Sequence, residues 1–172
     1  VIPNEKDPSQ AEAIRIDMGQ PRLDGPSIPS NYHEKEIIER DIIVGDTTFQ
    51  CTLVNVGNPH CIIYVDDVKN FPVEHYGPLL ESHKSFPARI NVEFVEILSS
   101  KEVIQRTWER GSGETWACGT GATAVSIAGV LTGKTDNEVL VHLTGGDLIL
   151  NYEKGSSAIM TGPAVEIFSG TI

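Results

Sequence analysis

The run Glu109-Arg110-Gly111-Ser112-Gly113-Glu114-Thr115-Trp116-Ala117-Cys118-Gly119-Thr120-Gly121-Ala122 sets one thiol among glycines, just ahead of a small and apolar stretch, residues 119–131. That composition predicts a short buried helix opening after Cys118. The first N–H groups of a helix lack internal acceptors and, with the helix dipole, favour a carboxylate or thiolate beside them. Cys118 therefore has a route to a lowered pKa and to reactivity. Gly119 and Gly121 leave the amides open to close approach by a ligand. A buried, inert cysteine beside a tight turn is the competing reading, since a lone Cys is usually buried for packing. The charged pair Glu109 and Arg110 nearby weighs against it.

The elements that must hold these residues read as strands around few helices. Apolar alternation predicts strands at 13–18, 37–44, 48–56 and 61–65, with Gly45-Asp46 as a hairpin turn and a Pro-rich loop from Pro21 to Asn31. Pro72 opens a helix through residues 73–83, with an interruption expected at Gly77-Pro78. Strands at 92–98 and 103–108 pair across a polar turn at 99–102. After the central helix come 139–143 and 148–152, split by Gly145-Gly146, and then 157–160 and 164–168. An α+β fold results, within one domain's length. Cys51 and Cys61 fall in strand-like segments, where burial for packing is the expectation.

Composition excludes several function classes. A formal net charge of −11, from 24 acidic and 13 basic residues, argues against nucleic acid and anionic membranes as partners. Three cysteines without disulfide spacing fit a reducing, cytoplasmic setting. No stretch approaches the roughly 18 apolar residues of a membrane span. His33, His75, His83 and His142 are scattered without metal-ligand spacing, no Cys-x-x-Cys pair exists, and the glycine runs lack the Lys of a phosphate loop. A cysteine hydrolase would need a His base beside Cys118, which only folding could bring there.

The 109–122 run resembles the second cysteine motif of diaminopimelate epimerases, and four further stretches resemble that family in the same order. They are Asp17-Met18-Gly19-Gln20-Pro21, Asn55-Val56-Gly57-Asn58-Pro59-His60-Cys61, Asn91-Val92-Glu93-Phe94-Val95 and Met160-Thr161-Gly162-Pro163-Ala164. The resemblance implies a mixed β-sheet or barrel wrapped around a central helix. It also implies a cofactor-independent, metal-free epimerase using two cysteines, of which Cys118 is one. The other belongs to a Gly-Asn-Gly-rich N-terminal half not found in this chain. Residues 1–16 would then be a leader or the end of that half, 17–160 the C-terminal domain, and 161–172 a tail returning to the N-terminal half.

On this resemblance Gly119 and Thr120 hold the reacting carboxylate, Asn58 and Asn91 bind the distal amino-acid end, Arg110 takes its carboxylate and Glu109 its ammonium. Glu109 and His60 also count as candidates assisting the thiol. The expected partners are diaminopimelate, the N-terminal half and a second copy in a homodimer. The chain alone is expected to turn over little or nothing. A related racemase acting on another amino acid, or a non-catalytic domain keeping an old substrate site, are the alternatives.

Overall fold

The computed structural model describes residues 1–7, 11–165, 168, 170 and 171. In chain order these form β1 (Ile2–Pro3), β2 (Ala11–Gly19), β3 (Arg40–Val44), β4 (Thr47–Asn55), β5 (Pro59–Tyr64), α1 (Val73–Glu81), β6 (Asn91–Ser99), β7 (Glu102–Glu109), β8 (Gly113–Thr115), α2 (Gly119–Thr132), β9 (Glu138–Leu143), β10 (Gly146–Asn151) and β11 (Ala158–Pro163). The strands make one mixed sheet in the order β1-β2-β11-β10-β9-β7-β6-β5-β4-β3, with β8 added alongside β7. The pairs β5–β6 and β7–β9 are parallel, and the other neighbours are antiparallel.

The sheet wraps α2, which packs against β11, β10, β9, β6, β5 and β4. It does not close: the order ends at β1 and β3. A single bridge spans part of the gap, Arg22 and Asn55 exchanging N–H···O bonds of 2.8 and 2.9 Å. A helix small or apolar on every side has no solvent face to offer. Accordingly, Gly121 through Gly129 are all buried. Gly133 ends α2 in the left-handed conformation, φ 68°, as a C-terminal cap requires.

Strand alternation divides the interior into two cores. Cys61 and Ile63 of β5, with Val92 and Phe94 of β6, face outward to a cluster that includes Leu80 of α1 and Phe86. Ile62 and Val95 face α2. Cys51 and Cys61 are fully buried free thiols in the outer cluster, as their strand-like surroundings predict.

Several boundaries differ from the sequence expectation. Helix α1 runs unbroken through Gly77-Pro78. Pro78 cannot donate a helical bond, but tertiary packing outweighs that loss: the missing side chain of Gly77 admits the Trp108 indole, whose Cδ2 would lie 2.5 Å from an added Cβ. Glu81 at the end of α1 then accepts the Trp108 Nε1–H at 2.8 Å. β5 starts at Pro59, so His60 belongs to a strand rather than a loop. The glycine-rich run contains an unexpected short strand, β8, turned back on β7 through Gly111 and Gly113 at φ 81° and 88°. The expected final strand, 164–168, includes Glu166 and Ile167, which lie outside the described residues. Ala164, Val165 and Phe168 are not in a strand.

Candidate active site

The topology gathers the residues singled out by sequence at one end of the sheet. In the parallel β5–β6 pair His60 lies opposite Asn91, so Asn58 and His60 stand next to the start of β6. β6 and β7 run antiparallel with Val92 opposite Trp108, which brings Glu109 and Arg110 alongside Asn91. The N-terminus of α2 points into the same end. The inward positions of β6 and β7 there carry Glu93, Gln105, Thr107 and Glu109 rather than hydrocarbon.

Cys118 is the N-cap of α2, extended in its backbone (φ −141°, ψ 103°), and its Sγ accepts the Gly121 N–H at 3.3 Å. The Thr120 hydroxyl lies 3.5 Å from the same sulfur. The N–H groups of Gly119 and Thr120 donate to no acceptor among the described residues. They are free to take a carboxylate, with the helix dipole behind them. The thiol, at 8% exposure, differs from expectation. Burial pushes it up, and the nearby Glu93 carboxylate adds to that; the Thr120 hydroxyl and Gly121 N–H pull it down, while Glu109 adds again. The sequence shows the helix terminus that favours a thiolate. It does not show the buried carboxylate that opposes one.

His60 is fully buried, with Nδ1 2.8 Å from Glu93 Oε1 and Nε2 2.9 Å from Asn58 Oδ1. Glu109 accepts the Thr115 hydroxyl at 2.6 Å through Oε1, which fixes the carboxylate against β8. Asn91 is already engaged at both ends of its amide: Nδ2 donates to the Pro59 carbonyl at 2.8 Å and Oδ1 accepts the Arg110 N–H at 2.9 Å. It ties the head of β5 to the turn after β7 and keeps one N–H to offer. The Arg110 side chain is exposed, and its Nη1 donates to the Ala88 carbonyl at 3.1 Å. Its remaining nitrogens have no partner among the described residues. The turn beneath it is held by Glu81, whose Oε1 accepts the Gly111 N–H at 2.9 Å.

Sequence reasoning missed Glu93, Gln105 and Glu81. Gly121 shows how close the first two come: a Cβ there would lie 2.7 Å from Glu93 Oε1, 3.0 Å from Gln105 Nε2 and 3.2 Å from Cys118 Sγ. The one available signal was a glutamate inside the otherwise apolar strand Asn91–Ser99. Among the described residues no three His, Cys, Asp or Glu side chains are placed to hold a metal ion. None of the described helices is long and apolar enough to cross a membrane.

Residues 52–167 match the family model for diaminopimelate epimerase. The diaminopimelate epimerase of Agathobacter rectalis is 49% identical over 172 residues, covering 95% of this chain and 60% of that one. The corresponding enzyme of Leptospira biflexa is 47% identical over 164 residues, covering 95% of this chain and 59% of that one. The solved structure of a hydroxyproline epimerase from Agrobacterium vitis, with bound trans-4-hydroxy-L-proline, aligns with a TM-score of 0.64. It is 14% identical, covering 90% of this chain and 51% of that one, so the likeness is one of fold. The chain spans about 60% of the length of the curated relatives it matches.

Proposed function

Because this chain belongs to the diaminopimelate epimerase family, we propose that it supplies one acid–base thiol, Cys118, to a cytoplasmic isomerase that interconverts L,L- and meso-diaminopimelate without a cofactor, in lysine and peptidoglycan precursor synthesis. The observation that carries this reading is the seat of Cys118: an N-cap thiol next to the two unpaired N–H groups of Gly119 and Thr120. An α-proton is weakly acidic, and its removal drives charge onto the adjoining carboxylate. Fixed N–H donors aimed at that carboxylate meet the charge as it forms, an effect of roughly 100- to 1,000-fold per donor. Cys118 as thiolate takes the proton on one face of the carbon, and as thiol returns it from that face in the reverse reaction. The opposite face requires a second thiol, which comes from the N-terminal half. Residues 161–163 complete β11, and two copies of the whole enzyme form its dimer.

The same reading assigns the distal end of the substrate to Asn58, Asn91, Glu109 and Arg110, with His60 and Glu109 flanking the thiol. The unused nitrogens of the Arg110 fork match a carboxylate. In the two-half enzyme, Arg110→Ala raises KM for diaminopimelate by about 10- to 100-fold, the loss of one charged hydrogen-bonded pair. It also erodes the preference over monocarboxylic amino acids, and steady-state assays on both substrates would show that; an unchanged preference rejects the role.

The 172-residue chain by itself tests the two-thiol logic. Incubated with L,L-diaminopimelate in deuterated water, it gives no meso product and negligible α-deuterium by NMR. Rapid exchange with inversion by the chain alone would refute the need for a second half.

A further inference from the structure

Glu93 is the one carboxylate in the interior of the site that none of the assigned roles uses. It is fully buried, and while Oε1 contacts His60 Nδ1 at 2.8 Å, Oε2 has no hydrogen-bond partner among the described residues. The titratable groups facing it are His60 from β5, Glu109 from β7 and Cys118 at the head of α2, with Cys61 on the far side of the sheet. Gln105 lies across Gly121 from it.

The proton count follows from the acceptors. His60 sits between two oxygens, Asn58 Oδ1 at 2.9 Å and Glu93 Oε1 at 2.8 Å. With the Asn58 amide oriented so that Oδ1 faces the ring, the oxygen cannot donate and Nε2 carries a hydrogen. A neutral imidazole then has none left for Nδ1, yet the Nδ1···Oε1 contact needs one. It comes either from a second ring proton or from the Glu93 carboxyl. In both cases the pair holds one proton more than a neutral histidine and a free carboxylate. The buried Oε2, with no partner among the described residues, favours the form with the proton on the Glu93 carboxyl, because an ionised carboxylate out of water with an unsatisfied oxygen is costly. Burial pushes Glu93 up, against the pull of His60, and Glu109 adds to the rise.

We propose that Glu93 is a positioning residue of the site: with His60 it stores one proton in the wall behind Cys118 and so governs where the site's protons rest during turnover. The inference rests on the epimerase reading for its meaning, since a residue that changes between acid and base needs its neighbours' charge controlled. The stored proton keeps a negative charge from standing beside Cys118. When it leaves, the ionised carboxylate opposes thiolate formation, so the two losses resist each other.

The test is the pH dependence of Cys118 alkylation by iodoacetamide in the 172-residue chain, with the adduct located by mass spectrometry. Glu93→Gln keeps the shape and can donate to Nδ1, but removes the competing charge. While the wild-type pair keeps its proton the two rates match; above the pH at which that proton is lost the variant is alkylated at least about threefold faster, so its profile rises at lower pH. A folded Glu93→Gln chain whose profile superimposes on the wild type overturns the proposal. Should the variant not fold, imidazole ¹H–¹⁵N spectra of the wild-type chain decide: Nε2 of His60 bears a hydrogen at neutral pH, and a bare Nε2 overturns the proposal. Neither measurement uses substrate. Failure of the epimerase reading is seen separately, as absent α-proton exchange on diaminopimelate by the two-half enzyme.

Discussion

Cys118→Ser in the two-half enzyme abolishes epimerisation and α-proton exchange, by a factor of roughly 100 to 10,000, while leaving stability and substrate affinity nearly unchanged. The choice of serine matters. Cys118 is both the proposed acid–base thiol and the N-cap of the helix on which the inner core is built, its Sγ accepting the Gly121 N–H at 3.3 Å. Alanine would remove both functions and cost about 0.5–2 kcal/mol in capping alone. Any loss of turnover could then be blamed on a frayed helix. Serine is among the preferred N-caps and restores the acceptor. What it cannot restore is a group that ionises near the working pH, since an alcohol is a far weaker acid than a thiol of pKa about 8.5. Activity and stability therefore part company. Thermal melts and equilibrium binding of diaminopimelate, set beside exchange kinetics, separate the two. A serine variant within tenfold of wild-type exchange would remove Cys118 from the chemistry.

That cap was legible in the sequence because everything that makes it is local: a small residue run, flanking glycines and one thiol. Strand periodicity likewise placed most of the sheet, with errors at the ends where pairing, not pattern, sets the limits. Glu93 was not legible. Its role depends on β6 turning that side chain toward α2 and on His60, which is 33 residues away in sequence, reaching it from β5. A strand buried on both faces gives no period from which to read which side meets the helix. The same reasoning explains α1. Gly77-Pro78 is a local breaker, and only the Trp108 indole, brought in from β7, shows why the helix passes through it. The wrapping of the sheet around α2 came from family resemblance, because no local pattern encodes which strands from distant segments become neighbours.

Gly121→Ala tests the convergence at the heart of the site, and here two effects of opposite sign compete. In a helix, alanine is favoured over glycine by up to about 1 kcal/mol. Gly121 has no need of a positive φ, so the backbone itself would accept the change. Against this, the added Cβ lands 2.7 Å from Glu93 Oε1 and 3.0 Å from Gln105 Nε2. Both are ends of side chains, which ordinarily swing away cheaply. Here moving away is costly, because Gln105 is held to Thr107 at 2.8 Å and Glu93 to His60 at 2.8 Å, all within a region closed to solvent. Overpacking of this kind costs about 1–3 kcal/mol, which exceeds the propensity gain. The easiest relief is for the Glu93 carboxylate to leave His60, so the variant loses at least about tenfold in turnover together with stability. Gly129→Ala is the control from the same helix: its Cβ meets Thr135, remote from the thiol, and the penalty falls on stability alone. Urea denaturation and exchange kinetics on both variants distinguish the outcomes. A Gly121→Ala protein more stable than wild type and fully active would show that Glu93 and Gln105 yield freely, and that the packing around the thiol is looser than the distances require.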